Sequence, residues 1–319
     1  MDKAQKEFAL HCLNVIGYFD GAPLPDNMRI TGIGGGELSG NARYFTAVKG
    51  DDLYICVRGA TEPGDFEMVL DFESRPFLDG YVHGGIEKAS RWVLSQLQDQ
   101  LNGFNGRVIC TGHSLGAVTT SLIAMILKYE MGKSNIIALN FAPFPIFSKS
   151  IAERTKSFIT TVIFNNDIVP RINGANISKL LSLLVPPEGP QREMGKNRAK
   201  TMVLSMMQNV MKSQGVTDQK IVASVYEKVG NRVIEMIDKI DVIRGYQYFL
   251  GGILFHVIEK MDAQTAKKNY RIESYNENLG LDLFGMMMGV SEHFYSHYKQ
   301  VIPNAFITSV PLMTVPDLD

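Results

Sequence analysis

The sequence predicts an α/β fold in which a mostly parallel central sheet carries helices on both faces. Short apolar runs typical of strands alternate with stretches of helical periodicity, and this alternation is typical of parallel sheets. The chain has 319 residues, of which 45% are hydrophobic and 20% are charged, so it contains enough apolar material for a large core. We expect residues 1–319 to form a single domain.

The predicted elements follow one another in a regular order. The amino terminus has mixed charges and the pattern of an amphipathic helix, without the features of a signal peptide. A Gly-rich stretch at 30–40 is predicted to be a loop, and a hairpin at 42–57 turns at Lys49-Gly50-Asp51-Asp52. The later elements are expected at 85–101 (helix), 107–110 (strand), 114–129 (helix), 136–141 (strand), 149–156 (helix), 159–164 (strand) and 253–259 (strand).

Between the last two of these strands, residues 175–245 are predicted to be a helical insertion. This region has no strand signal, and amphipathic periodicity continues almost to its end. Its methionines stand at near-helical spacing at positions 202, 206, 207 and 211.

Charge and cysteine content exclude several classes of protein. Lys plus Arg number 32 and Asp plus Glu 33, so no basic excess exists for a nucleic acid partner. Three cysteines in a chain of this length do not form a disulfide scaffold and favour a reducing, cytoplasmic location. The uncharged stretch at 108–127 contains too many polar and small residues for a transmembrane helix, so no membrane span is expected.

Gly112-His113-Ser114-Leu115-Gly116 fits the pattern G-x-S-x-G. So short a pattern is weak alone, but it lies directly between an apolar strand and a helix, which is the context of a nucleophile elbow. The turn is so sharp that side chains two places either side of the serine would collide with neighbouring backbone. Ser114 is therefore the candidate nucleophile.

A serine hydroxyl needs a base, and the base needs an orienting carboxylate. Asp167 follows the strand at 159–164 and is the candidate acid. His256 lies within a predicted strand, which leaves His293 and His297, four residues apart, as candidate bases. We favour His293 because it comes first after a Gly-punctuated loop.

Two backbone N–H groups are needed to bind the oxyanion of an acyl intermediate. Leu115 follows the nucleophile and supplies the first. Ala60, at the end of the run ICVRGA, is the candidate for the second. Thr61 is expected either to add a hydroxyl there or to take over the donor role. His113 is expected to be a polar group around the site, and Thr61 and His113 are both candidate substrate-binding residues.

Five blocks in order resemble the class 3 lipase family, which includes fungal triacylglycerol lipases and diacylglycerol lipases. The blocks are CVRGATEPGDFEMVLDF, VHGGIEKA, VICTGHSLGAVTT, VIFNNDIVPR and SEHFYSHY, and the last is similar to the family's D-H-x4-Y ending, which supports His293. The resemblance covers roughly residues 40–300. It implies an α/β-hydrolase fold, an acyl-enzyme on Ser114, and no metal or organic cofactor.

The chain departs from the family pattern at several positions. Ala60 stands where Thr or Ser is usual, Phe66 where Trp is usual, Ile86 where Phe is usual and Glu292 where Asp is usual. The interval from Asp167 to His293 is long because it contains the insertion. Diacylglycerol-lipase-like members carry insertions in this region, so residues 175–245 are a candidate lid or membrane-facing element. The alternative is a set of amphipathic helices packed permanently on the domain.

The predicted substrate is a mono-, di- or triacylglycerol ester at a membrane or micelle surface. We therefore expect a cytoplasmic protein that can associate peripherally with a membrane. Residues before His293 are candidates for an apolar acyl channel, although ordinary core packing explains the same run; they are Phe284, Met287 and Met288. Four alternatives remain: a lipase-like binding or signalling module without turnover, a phospholipase A1, a short-chain carboxylesterase, and a thioesterase, the last three with the same triad.

Overall fold

A computed structural model describes residues 2–36, 41–71, 73–186, 188–213, 218–238, 247–262, 265, 268–275, 289 and 291–307. In these residues nine strands form one sheet in the order β1-β2-β3-β6-β7-β8-β9-β10-β11, and two form a separate sheet. The strands are β1 Arg29–Gly34, β2 Tyr44–Lys49, β3 Asp52–Val57, β4 Ser74–Phe77, β5 Gly80–His83, β6 Arg107–His113, β7 Ile136–Phe141, β8 Ile159–Phe164, β9 Ile253–Met261, β10 Lys268–Ser274 and β11 Ala305–Ile307.

The α-helices lie between these strands and in the insertion. They are α1 Lys3–Ile16, α2 Pro63–Leu70, α3 Gly84–Gln96, α4 Gln98–Asn102, α5 Leu115–Tyr129, α6 Lys149–Thr155, α7 Gly174–Leu184, α8 Arg192–Ser213, α9 Gln219–Asp238 and α10 Tyr295–Val301. Short 3₁₀ turns lie at Gly17–Asp20, Val169–Arg171, Ser291–His293 and Ile302–Asn304. In the part of the chain that the structure describes, no helix has the length and apolar content needed to cross a membrane.

The centre of the large sheet is parallel. Strands β3, β6, β7, β8 and β9 pair in parallel, whereas β1 and β2 form an antiparallel edge and β10 returns antiparallel to β9. The predicted α/β class, with a mostly parallel central sheet, is therefore confirmed. Because the central strands are parallel, their carboxyl ends meet at one edge of the sheet.

The sheet is covered on both faces, as a parallel sheet requires. One apolar cluster contains Leu53, Ile55 and Val57 of β3 together with side chains of α3 and α5. The alternate residues Tyr54 and Cys56 belong to a second cluster on the other face, with side chains of α1 and α10. Residues 115–127 of α5 are all buried, which explains why this stretch is apolar without spanning a membrane.

Several predicted boundaries were wrong. The Gly-rich stretch is not only a loop, because Arg29–Gly34 forms an edge strand paired with β2. A Cβ atom at Gly34 would lie 2.7 Å from the Tyr44 ring, so glycine here lets the tyrosine cross the strand. The helix predicted at 85–101 is interrupted at Leu97, and the sequence analysis did not predict the short strands β4, β5, β10 and β11.

Candidate active site

Ser114 occupies a sharp turn between β6 and α5, the context predicted for the nucleophile. Its φ is 57° and its ψ is −122°, an unfavourable conformation for a residue with a side chain. The two flanking glycines make the turn possible. A Cβ atom would lie 2.4 Å from the Gly116 carbonyl carbon if placed on Gly112, and 2.0 Å from the Val57 oxygen if placed on Gly116. The backbone thus holds the serine at the carboxyl edge of the sheet.

Asp167 is placed by a turn at the same edge. We call residues 165–168 the acid turn; it follows β8 directly, and β8 is separated from β6 only by β7. Asn165 has a φ of 44°, a left-handed conformation that asparagine tolerates better than most residues. The Asp167 carboxylate is fully buried, and its Oδ1 accepts a hydrogen bond from the Val169 N–H at 3.0 Å.

His293 connects the two side chains. Its Nδ1 lies 3.1 Å from each carboxylate oxygen of Asp167, and its Nε2 lies 2.8 Å from Ser114 Oγ. Because Nδ1 faces a carboxylate, it carries the ring proton and donates a hydrogen bond to Asp167. Nε2 is then unprotonated and accepts a hydrogen bond from the serine hydroxyl. All three side chains are buried. The structure thus brings together the three residues predicted for a Ser-His-Asp relay.

Tyr298 of α10 holds the carboxylate from the other side, a contact that the sequence analysis did not predict. Its hydroxyl donates to Asp167 Oδ2 at 2.8 Å and accepts from the Phe164 N–H at 3.1 Å. Burial, followed by the neighbouring Asp167, raises the pKa of Tyr298 well above its ordinary value, so the hydroxyl stays a donor. The block SEHFYSHY contains this tyrosine. The sequence analysis used its spacing from His293 only to support the choice of His293, and assigned no role to the tyrosine itself.

Two other histidines, His297 and His256, make their contacts outside the relay. His297 packs against Phe164 and Phe294. The Nε2 of His256 lies 2.7 Å from the Asn165 carbonyl oxygen, to which it donates.

His113 is buried inside the elbow, and its Nε2 donates to the His293 carbonyl at 2.6 Å. Burial and the nearby His293 lower the pKa of His113 well below its ordinary value, so the ring is neutral. Its expected substrate contact stays a prediction.

The loop at 58–62 follows β3 and therefore reaches the same edge of the sheet. It is held by Asp65 of α2, whose Oδ2 accepts from the N–H groups of Thr61 at 2.9 Å and Glu62 at 3.0 Å. Burial raises the pKa of Asp65 above its ordinary value, although these bonds and Arg58 oppose the shift. Ala60 is buried in this loop, and the Thr61 hydroxyl is buried with no hydrogen-bond partner among the described residues.

The other predicted donor, Leu115, is the first residue of α5. The first N–H groups of a helix have no acceptor within the helix, so this amide is suited to bind an oxyanion. The candidate acyl-channel residues Phe284, Met287 and Met288 lie outside the described residues. Within the described ranges no group of three or more His, Cys, Asp or Glu side chains is arranged to hold a metal ion.

Part of the chain matches a known protein family. Residues 54–177 match the model of the family Lipase (class 3), which confirms the resemblance predicted from the motifs. The match includes Ser114 and Asp167 and ends at the start of the insertion, before His293.

Among curated relatives, the chain is 27% identical to mouse diacylglycerol lipase-beta over 143 residues, which are 41% of this chain and 21% of that protein. It is also 27% identical to human diacylglycerol lipase-alpha over 150 residues, 40% of this chain and 14% of that protein. The matched part thus spans about a fifth or less of the length of these relatives.

Solved structures of fungal lipases are also similar. A lipase from Rhizopus microsporus var. chinensis aligns with a TM-score of 0.46 and 18% identity, covering 54% of this chain and 70% of that one. A Rhizomucor miehei lipase propeptide complex aligns with a TM-score of 0.44 and 18% identity, covering 53% and 62%.

Proposed function

We propose that the protein is a serine hydrolase that cleaves carboxylic esters of lipids through an acyl-enzyme on Ser114. The observation that supports this most strongly is the hydrogen-bonded series from Ser114 Oγ through His293 to Asp167, with distances of 2.8 and 3.1 Å. The family match over residues 54–177 supports a lipid ester as the substrate class.

In the first step, His293 takes the proton of Ser114 as the serine oxygen attacks the acyl carbonyl carbon. The N–H groups of Leu115 and Ala60 bind the resulting oxyanion, and Asp167 stabilises the imidazolium. His293 then gives the proton to the departing alcohol, which leaves the acyl group on the serine.

In the second step, His293 removes a proton from water as the water attacks the acyl carbonyl. The intermediate collapses, the serine recovers its proton and the fatty acid leaves. We assign the buried Thr61 hydroxyl to a substrate contact because it has no partner among the described residues. It compensates for the hydroxyl that Ala60 lacks.

The test compares wild type with Ser114→Ala on short- and long-chain esters, mono- and diacylglycerols and a phosphatidylcholine, with and without detergent micelles. Removing an activated nucleophile is expected to lower kcat about 10⁴-fold or more. Labelling by a serine-directed fluorophosphonate should disappear in the variant. A wild type inert on every ester, in a folded preparation, would instead favour the binding module without turnover.

We also propose that the corner between α7 and α8 faces the lipid surface. Its Leu183 and Met194 side chains are 68% and 50% exposed, and Lys179 and Arg198 nearby are exposed cations suited to anionic headgroups. By contrast, α9 turns valines into the core and packs on α2, so it agrees with the alternative of a permanently packed helix.

The matched variants for this second proposal are Leu183→Ser with Met194→Ser, and Ile33→Ser as control, since Ile33 is 49% exposed on the edge strand. The corner variant should lose sedimentation with phosphatidylcholine–phosphatidylserine vesicles while hydrolysing a short soluble ester normally. Equal sedimentation of the corner and control variants would refute the assignment.

A further inference from the structure

Glu292, the residue before His293, forms a second connection between the acid turn and the histidine segment, residues 291–293. Its Oε1 accepts a hydrogen bond from the Asn165 side-chain amide, and its Oε2 accepts from the Asn166 N–H at 2.7 Å. Both donors belong to the turn that carries Asp167. The carboxylate therefore joins the two pieces of chain that supply the acid and the base.

The acid turn is itself firmly held. The Asn165 N–H donates to the Val257 carbonyl at 2.7 Å, and His256 of the same strand donates to the Asn165 carbonyl at 2.7 Å. Two bonds from β9 thus fix the left-handed residue at which the chain leaves the sheet. This makes the turn a rigid base to which a second segment can be fastened.

The histidine segment reaches this base from a distant part of the sequence. The Asp167–His293 hydrogen bonds hold only the end of the histidine side chain. These bonds alone would let the imidazole ring turn about Nδ1 and move Nε2 away from Ser114. The bond from His113 to the His293 carbonyl fixes one further point on the backbone. The two bonds from Asn165 and Asn166 to Glu292 restrain the segment at the residue next to His293.

We propose that Glu292 is a positioning residue for His293: its two hydrogen bonds lock the histidine segment onto the acid turn and keep Nε2 within reach of Ser114. The inference rests on the proposed function. Catalysis is sensitive to the position of His293 because a small displacement of a general base lowers the rate constant by a large factor.

The charge environment agrees with a role through hydrogen bonding. Burial raises the pKa of Glu292 above its ordinary value, and the carboxylates of Asp167 and Glu259 add to the rise, whereas the bonds from Asn165 and Asn166 lower it. The neighbouring carboxylates therefore disfavour the charged form of Glu292, whereas the two hydrogen-bond donors stabilise it in this position.

The experiment compares Glu292→Ala with Glu292→Gln, and uses Asp52→Asn as control. Asp52 forms a paired contact with Arg107 at 2.7 Å, at the opposite end of the sheet. Glu292→Ala should lower kcat about 10- to 100-fold with KM within about twofold. Glu292→Gln should stay within about threefold of wild type, because the Asn165 amide can turn its oxygen toward the new NH₂ group. Asp52→Asn should leave kcat unchanged.

A swap tests the same contact if the alanine variant does not fold. Asn165→Asp sets two carboxylates against each other and should lower kcat about 10-fold, and adding Glu292→Gln should restore it. Aspartate tolerates the left-handed backbone at this position. An unchanged kcat in Glu292→Ala, a loss in Glu292→Gln equal to that in the alanine variant, or a swap without rescue would each overturn the inference.

A readout without turnover separates this inference from the proposed function. The far-downfield proton resonance of a histidine Nδ1–H bonded to a carboxylate should be present in wild type and Glu292→Gln, and broadened or absent in Glu292→Ala. If wild type shows this pattern yet hydrolyses no ester, the proposed function fails and the positioning role stands. A resonance equally sharp in all three proteins contradicts the positioning role.

Discussion

The elbow region, residues 107–129, and the acid–histidine region, residues 159–171 with 291–301, complete the same site in different ways. Ser114 is fixed by backbone packing within a few residues, because Gly112 and Gly116 allow strand, turn and helix to touch. Asp167 and His293 are 126 residues apart and are held by side-chain hydrogen bonds. One half of the site is therefore fixed by steric fit, the other by a polar network.

Asp167→Asn should have the largest effect on the polar half. The amide holds the imidazole in the wrong tautomer, so kcat should fall about 10³- to 10⁴-fold while the fold is retained. The measurement is steady-state hydrolysis of a soluble ester, together with the melting temperature. A loss smaller than about tenfold would show that the network does not orient the base and would break the comparison.

Gly116→Ala should damage the steric half through stability. The added Cβ would lie 2.0 Å from the Val57 oxygen, which belongs to backbone and does not move aside cheaply. We expect a loss of about 2–4 kcal/mol in the free energy of unfolding, measured with urea. Gly132→Ala is the control, since nothing lies within 4 Å of that position, although its positive φ adds a smaller strain. Equal losses in the two variants would mean that close packing does not hold the elbow.

His113 links the two regions, because it lies in the elbow and donates to the His293 carbonyl. The pH dependence of protein stability tests its state. Its pKa in the folded protein lies well below the ordinary 6.5, so below pH 6.5 the unfolded chain binds a proton that the folded protein does not. The free energy of unfolding should therefore fall as the pH drops below about 6.5, by up to about 1.4 kcal/mol per pH unit for this group.

His113→Gln, which keeps a donor for the His293 carbonyl, should reduce that slope by about one proton. Burial also lowers the pKa of His83, to about 4. Its contribution to the pH dependence of the free energy of unfolding is the same in both proteins and cancels when their slopes are subtracted. Urea unfolding at several pH values between 6.5 and 5 measures both slopes. Identical slopes in the two proteins would contradict the neutral, buried state of His113.

The sequence predicted the steric half of the site more fully than the polar half. The elbow is a local pattern, because its glycines, strand and helix all lie within one short stretch. The glycine spacing and the apolar patterns on either side of it were therefore sufficient to place it. The strands β7 and β8 were predicted with their observed bounds for the same reason, since each is a short and mostly apolar run.

The contacts of Glu292 and Tyr298 were beyond the reach of such patterns. Each depends on which distant residues meet after folding, and neither residue stands out in its own neighbourhood. The edge strand β1 was misassigned because its glycines suggest a loop, whereas they leave room for Tyr44 and Thr46 of the next strand. Sequence periodicity records local geometry and carries little information on partners far along the chain.

The distance between acid and base also sets an order of assembly. His293 and Tyr298 lie late in the chain, and α10 packs on α1, where Lys6 Nζ donates to the Ala305 carbonyl. While the protein is being synthesised, the elbow can form long before its base exists. If the proposed function is correct, Ser114 has no base until the segment that carries His293 has been synthesised and has docked beside the first helix, so the nucleophile is activated late in folding.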